Sequence, residues 1–155
     1  MARKKSSERL RTLLKLAELK EQQAARQLGV TSERLQQAQR QSHQLVQYSE
    51  EYQQQYVARG AEQTFSRRDL LNYQGFFSQL EQVQEQQRRV IDMRNEEREH
   101  ARAAWLETYR KRHLLAQVRE RRLQREAQAA EKKLQGELDD RAQRNAHLKR
   151  SELHD

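Results

Sequence analysis

At 155 residues the chain is sized for one domain, 1–155, yet hydrophobic residues at 34% and charged residues at 35% leave too little apolar material for a compact core. With no proline, four glycines and no cysteine, it excludes disulfides and thiolate metal sites and favours long exposed helices. A net charge of +8 points to polyanions or acidic protein surfaces as partners.

The basic start MARKKSSERLR is followed by no uninterrupted apolar run, so neither a signal peptide nor a membrane span is expected, and a soluble cytoplasmic protein is the simplest reading. Residues 1–5 are expected to fray, and Ser6 or Ser7 can cap a first helix over about 6–59. From there the three–four spacing of a coiled-coil seam runs without a slip: Leu10, Leu14, Ala17, Glu21, Ala24, Leu28, Thr31, Leu35, Ala38, Ser42, Leu45, Ser49, Tyr52, Tyr56. Leu13, Leu16 and Leu19 widen the apolar face near the start, as if a further neighbour packs there.

A bend is expected at about 60–65. Gly60 suits the left-handed position past a helix end, and Ser66 with Asp69 has capping-box spacing for a second helix over about 66–148. That helix reads Tyr73, Phe76, Leu80, Val83, Gln87, Val90, Arg94, Glu97, Ala101, Ala104, Thr108, Lys111, Leu115, Val118 along its seam, a poor one in the middle, with Trp105 and Tyr109 one step off. After Val118 the stripe shifts phase to Leu123, Ala127, Ala130, Leu134 and Leu138. The polar stretch from Arg141 onward is expected to fray.

The expected fold is all-α: a long antiparallel two-helix coiled-coil hairpin with an extended C-terminal overhang. A bend centred between Gly60 and Phe65 sets Leu45 opposite Leu80, Leu35 opposite Val90 and Leu10 opposite Leu115. The first helix then runs out near residue 120 of the second. About thirty residues, or roughly 40 Å of helix, are left with an apolar stripe and no internal partner.

No constellation for catalysis is present. The five histidines lie far apart with no metal-ligand spacing, and there is no phosphate loop or nucleophile elbow, so neither an enzyme nor a cofactor is expected. The stretch AARQLGVTSERLQQAQR, Ala24 to Arg40, resembles a DNA-binding helix-turn-helix. The seam passes through Gly29 unbroken, however, which argues for a continuous helix and against nucleic acid as a partner. A basic helical nucleic-acid-binding protein stays an alternative.

Two stretches are candidate partner surfaces. The basic run Arg119, Arg121, Arg122, Leu123 and Arg125, with Leu134 and Leu138 beyond it, flanks the unpaired helix and suits an acidic surface. Direct membrane binding is disfavoured, because neither basic helix carries a strong Trp/Phe/Leu face. At the bend, Tyr48, Tyr52, Tyr56, Phe65, Tyr73, Phe76 and Phe77 cluster. Phe76 and Phe77 point about 100° apart, so at least one is expected to face solvent or a partner.

The leucine-rich basic first helix, the segment YSEEYQQQY (Tyr48 to Tyr56) and the segment NYQGFFSQLEQ (Asn72 to Gln82) resemble the flagellar FliJ family over almost the whole chain. The resemblance implies a cytoplasmic, stalk-like component of the flagellar type III export apparatus. Its implied partners are the hexameric export ATPase, the cytoplasmic domain of the export gate and export chaperones, with peripheral membrane association through the gate at the flagellar base. By position, Phe76 and Leu80 match the family's apolar gate-contact pair, which makes Tyr73, Phe76, Phe77 and Leu80 the candidate gate surface. The basic and apolar residues from Arg119 to Leu138 are the candidate surface for the ATPase ring. Gly75 and Phe77 depart from the pattern, which implies a looser helix and an altered contact. The equivalent protein of a virulence secretion system is the alternative reading.

Overall fold

The computed structural model describes residues 6–62 and 64–154. Two helices, α1 (Ser6–Glu62) and α2 (Arg67–His154), pack against each other as an all-α hairpin. Their sequences are rich in Ala, Leu, Glu, Gln, Lys and Arg, which lose little rotamer freedom in a helix, and no proline interrupts them. The expected fraying of residues 1–5 lies outside the described residues. At the other end α2 stays helical to His154, past the expected end near 148. Lys149, Arg150 and His154 there complement the negative end of the helix dipole.

The bend departs from expectation in one respect. α1 does not end at Gly60 but continues to Glu62, and no glycine among the described residues has positive φ. Gly60 supplies space: a Cβ built on it would lie 2.9 Å from Cε2 of Phe65. The capping box forms as expected. The amide of Asp69 donates to Ser66 Oγ (3.2 Å), the amide of Ser66 donates to Asp69 Oδ2 (3.4 Å), and the Leu70 amide closes the first turn onto the Ser66 carbonyl. Replacing Ser66 with alanine is expected to cost about 1 kcal/mol, read in a urea titration.

The glycines yield a second test. Gly29 and Gly136 lie mid-helix with open space where a Cβ would go. Alanine at either is expected to raise stability by about 0.5–1 kcal/mol. Gly60→Ala should gain nothing, because the Phe65 ring must move to admit the methyl group. Melting temperatures of the three single variants check this ordering.

Because α1 runs on to Glu62, the centre of the bend moves by two residues and opposed positions move by about four, roughly one helical turn. Tyr56 meets Tyr73 and Ser6 meets Arg122. Carried along the hairpin, the same shift moves the expected pairs Leu45–Leu80, Leu35–Val90 and Leu10–Leu115 out of direct opposition by about one turn. Gln87 bridges that offset with its side chain, its amide donating to the Ala38 carbonyl at 2.9 Å.

The chain divides into two compact units, Lys20–Thr108 and Met1–Leu19 with Tyr109–Asp155. In the first, Leu35, Ala38, Leu80 and Ala101 form the core with Thr31. The buried Thr31 hydroxyl is satisfied by the Gln27 and Leu28 carbonyls, both at 3.0 Å. The covered α2 positions are Tyr73, Phe77, Leu80, Gln84, Gln87, Ile91, Arg94, Arg98, Ala101, Trp105 and Thr108, a strict four–three alternation. Val83 and Ala104, expected in the seam, are exposed, and Gln84 and Trp105 take their places. Phe76, Val90 and Glu97 stay half-buried beside the seam. Arg94 is held by its own helix, donating to Glu97 at 3.1 Å.

In the second unit Leu10, Ala17 and Ser7 are buried on α1. The α2 alternation continues through Arg112, Leu115, Arg119 and Glu126, all half-buried, while Lys111 and Val118 are exposed. The expected phase shift does not occur. Leu123, Ala127, Ala130, Leu134 and Leu138 all face solvent, because the heptad continues onto Glu126. From Ala127 to His154 every residue is exposed.

Candidate functional site

Two regions could meet partners. At the bend, Tyr48, Tyr52 and Tyr56 recur every fourth residue and so share one face of α1. Tyr52 is the centre of the cluster. Its ring lies 4.1 Å from Phe76, 5.5 Å from Phe77 and 5.6 Å from Tyr73. Tyr56 meets Tyr73 edge-on at 4.5 Å and stacks on Phe65 at 5.1 Å, with 8° between the planes. Arg59 donates to the Tyr73 hydroxyl at 3.1 Å.

Of the four candidate gate residues, Leu80 is buried and Tyr73, Phe76 and Phe77 are half-buried. Neither Phe76 nor Phe77 is fully exposed, so the expectation that one of them faces solvent or a partner holds only for the part of each ring left open. Broad tyrosine rings from α1 reach both sides of the seam, so Phe76 packs on Tyr48 and Tyr52 while Phe77 packs on Tyr52 and Tyr56. The apolar surface that remains open near the bend belongs to Tyr48, Val57, Leu70 and Leu71. Of these, only Tyr48 belonged to the expected aromatic cluster. The directly adjacent pair Leu70 and Leu71, which one seam cannot absorb, was the available signal for the others.

The basic run does not form a single patch. Arg119 turns into the seam, its Nε buried and without a hydrogen bond among the described residues. Arg122 donates to the Ser6 hydroxyl. Arg121, Leu123 and Arg125 are exposed. Leu134 and Leu138 lie farther on, 57% and 55% exposed, within a segment where basic and acidic residues nearly balance. The overhang thus carries exposed leucines among charges of both signs, and the basic excess sits before it.

Sequence reasoning missed Glu126. The Ser7 amide donates to its Oε1 at 3.2 Å and the Ser7 hydroxyl to its Oε2 at 2.6 Å. The carboxylate thus sits at the positive N-terminal end of α1 and accepts one of the amides a helix start leaves without an intrahelical partner. Both serine hydroxyls turn to α2, so the first turn of α1 is capped from the other helix rather than by Ser6 or Ser7. The signal was the strict heptad, which reaches Glu126 seven residues after Arg119.

Among the described residues no group of three or more His, Cys, Asp or Glu side chains could hold a metal ion. The surface grooves at Gln37, Val57 and His147 are open and each is lined by one helix. α1 is unbroken through Gly29, so Ala24 to Arg40 is not a helix-turn-helix. No helix among the described residues is long and apolar enough to cross a membrane.

Comparison with curated proteins and with solved structures returns no match. A family model described as flagellar FliJ protein matches residues 6–151. The chain therefore belongs to the flagellar FliJ family, components of the type III export apparatus.

Proposed function

We propose that the chain is a non-enzymatic, stalk-like adaptor that links the hexameric export ATPase to the cytoplasmic domain of the export gate and binds export chaperones. It acts in the cytoplasm at the flagellar base and associates with the membrane through the gate. The observation that carries this reading is the uncovered end of α2. From Ala127 to His154 a helix with exposed Leu134 and Leu138 extends beyond the Ser7–Glu126 pair, and every residue of it is exposed. An isolated helix of that length gains little from propensity alone, so a partner surface is the natural source of its packing. The aromatic cluster with Leu70 and Leu71 supports a separate gate surface at the bend.

Substitution of Leu134 and Leu138 by glutamate tests the reading. Both side chains are exposed, so helicity by circular dichroism should be unchanged. Capture by the ATPase should fall on the order of tenfold or more, as expected for two apolar anchors. Gate binding should be unaffected. Undiminished capture would remove the overhang from the ATPase contact.

A further inference from the structure

Beyond this ATPase–gate reading, the unit of residues 1–19 and 109–155 carries a surface that neither helix shows alone. The seam residues of both helices pair three apart, as Leu14 with Ala17 and Arg112 with Leu115. Leu13 and Val118 each directly precede the first residue of such a pair, Leu14 and Arg119. Leu16 and Leu114 each follow one by two. In an antiparallel pair, related by a two-fold axis perpendicular to the plane of the helices, equivalent heptad positions lie on the same side. Tyr48 and Phe76 occupy the first of these positions in the other unit, and their rings meet at 6.3 Å.

Leu13, Leu16 and Leu114 are 51%, 50% and 59% exposed, and Val118 is exposed beside them. The same two positions hold Arg9 on α1 and Arg121 and Arg125 on α2, all exposed. Between Ser6 and Leu16, and between Lys111 and Arg125, these positions contain no carboxylate. The result is an aliphatic centre with a cationic rim, spread over two adjacent helices.

We infer that this face binds directly to an anionic phospholipid surface. A bilayer takes the leucines of both helices at similar depth and requires no matching shape, while the arginines reach headgroup phosphates. The overall charge of +8 adds long-range attraction to such a surface. A second copy of the chain fits poorly, because it would set cations against cations. The sequence of either helix alone disfavours membrane binding; the hairpin reverses that expectation by placing two short aliphatic rows side by side.

The test is co-sedimentation of the full chain with vesicles of phosphatidylcholine containing about a third phosphatidylglycerol, against phosphatidylcholine alone. The full chain should bind the anionic vesicles and scarcely bind the neutral ones. Leu16→Glu with Leu114→Glu, both on solvent-facing side chains, should weaken binding on the order of tenfold or more. Arg121→Gln with Arg125→Gln should weaken it by a similar factor. The leucine variant keeps Leu134 and Leu138, so ATPase capture through the overhang is scored separately and survives loss of vesicle binding. Failure of the full chain to bind anionic vesicles, or equal binding by the leucine variant, would overturn the inference. If vesicles are ignored while the leucine variant loses an acidic protein partner, the face belongs to that protein and the inference is equally overturned.

Discussion

Replacing Tyr52 with alanine is expected to lower stability by about 3 kcal/mol, a melting-temperature drop of roughly 10 °C for a chain of this size. Tyr52 is the one ring that contacts Tyr73, Phe76 and Phe77 together. Each such aromatic pair is worth about 0.5–1.5 kcal/mol beyond area burial, and the truncated ring would leave a void that Tyr48 and Tyr56 cannot fill from one turn away. Leu71→Ala, at a site 59% exposed, is the control and should stay within about 0.5 kcal/mol of the parent. Phe76→Ala and Phe77→Ala separate the two roles of the cluster. If both destabilise the hairpin and neither weakens gate binding, the rings serve only to clasp the helices, and the gate surface must be sought at Leu70, Leu71 and Val57.

Replacing Glu126 with alanine is expected to release the start of α1 at a cost of about 2 kcal/mol. That figure combines the loss of two hydrogen bonds at a largely buried serine with the loss of a negative charge at a helix N-terminus. The effect should be local. Hydrogen exchange should accelerate from Ser7 to about Leu19, and trypsin should cut faster after Arg9 and Arg11, while the aromatic cluster stays protected. Glu126→Gln keeps the acceptor and removes the charge, so it should fall between the two. Glu131→Ala, on the exposed overhang, should change neither readout.

The sequence made α1 legible and α2 only partly so, for a physical reason. On α1 the seam positions are mostly apolar, and all fourteen expected seam residues, from Leu10 to Tyr56, are buried or half-buried. On α2 the positions Leu80, Gln87, Arg94, Ala101, Thr108 and Leu115 are also covered as expected. Of the intervening ones, Phe76, Val90 and Glu97 are half-buried, while Val83, Ala104, Lys111 and Val118 are exposed; at Val83 beside Gln84 and Val118 beside Arg119 an apolar neighbour had been preferred over a polar residue one step on. Helix geometry keeps the alternation regardless. Long polar side chains occupy the seam by laying their aliphatic stems along it while their heads reach outward. The same preference hid Glu126, since the exposed Leu123 and Ala127 look like better seam residues.

At the candidate sites, the aromatic cluster was visible from residue type and spacing. Its closure over both Phe76 and Phe77 was not, because it depends on how far three tyrosine rings extend from the opposite helix. The bend expected at about 60–65 was also visible, but α1 runs on to Glu62 and Gly60 acts through the room it leaves for Phe65, a tertiary contact that no local rule reports. The composite face of Leu13, Leu16, Leu114 and Val118 needed the pairing of the helices before it could be seen.

The most direct measurement is the affinity of the export ATPase for the full chain and for a chain ending at Ala129. This end point keeps Glu126, and so the capped start of α1, while removing most of the uncovered helix. A chain ending at Val118 would lose that cap and confound the comparison. Affinity for the gate domain, measured on the same two proteins, reports whether the bend is intact. The expected result is ATPase binding weakened on the order of tenfold or more with gate binding unchanged. Equal ATPase affinity for the two chains would contradict the assignment of the α2 overhang as the ATPase-docking element.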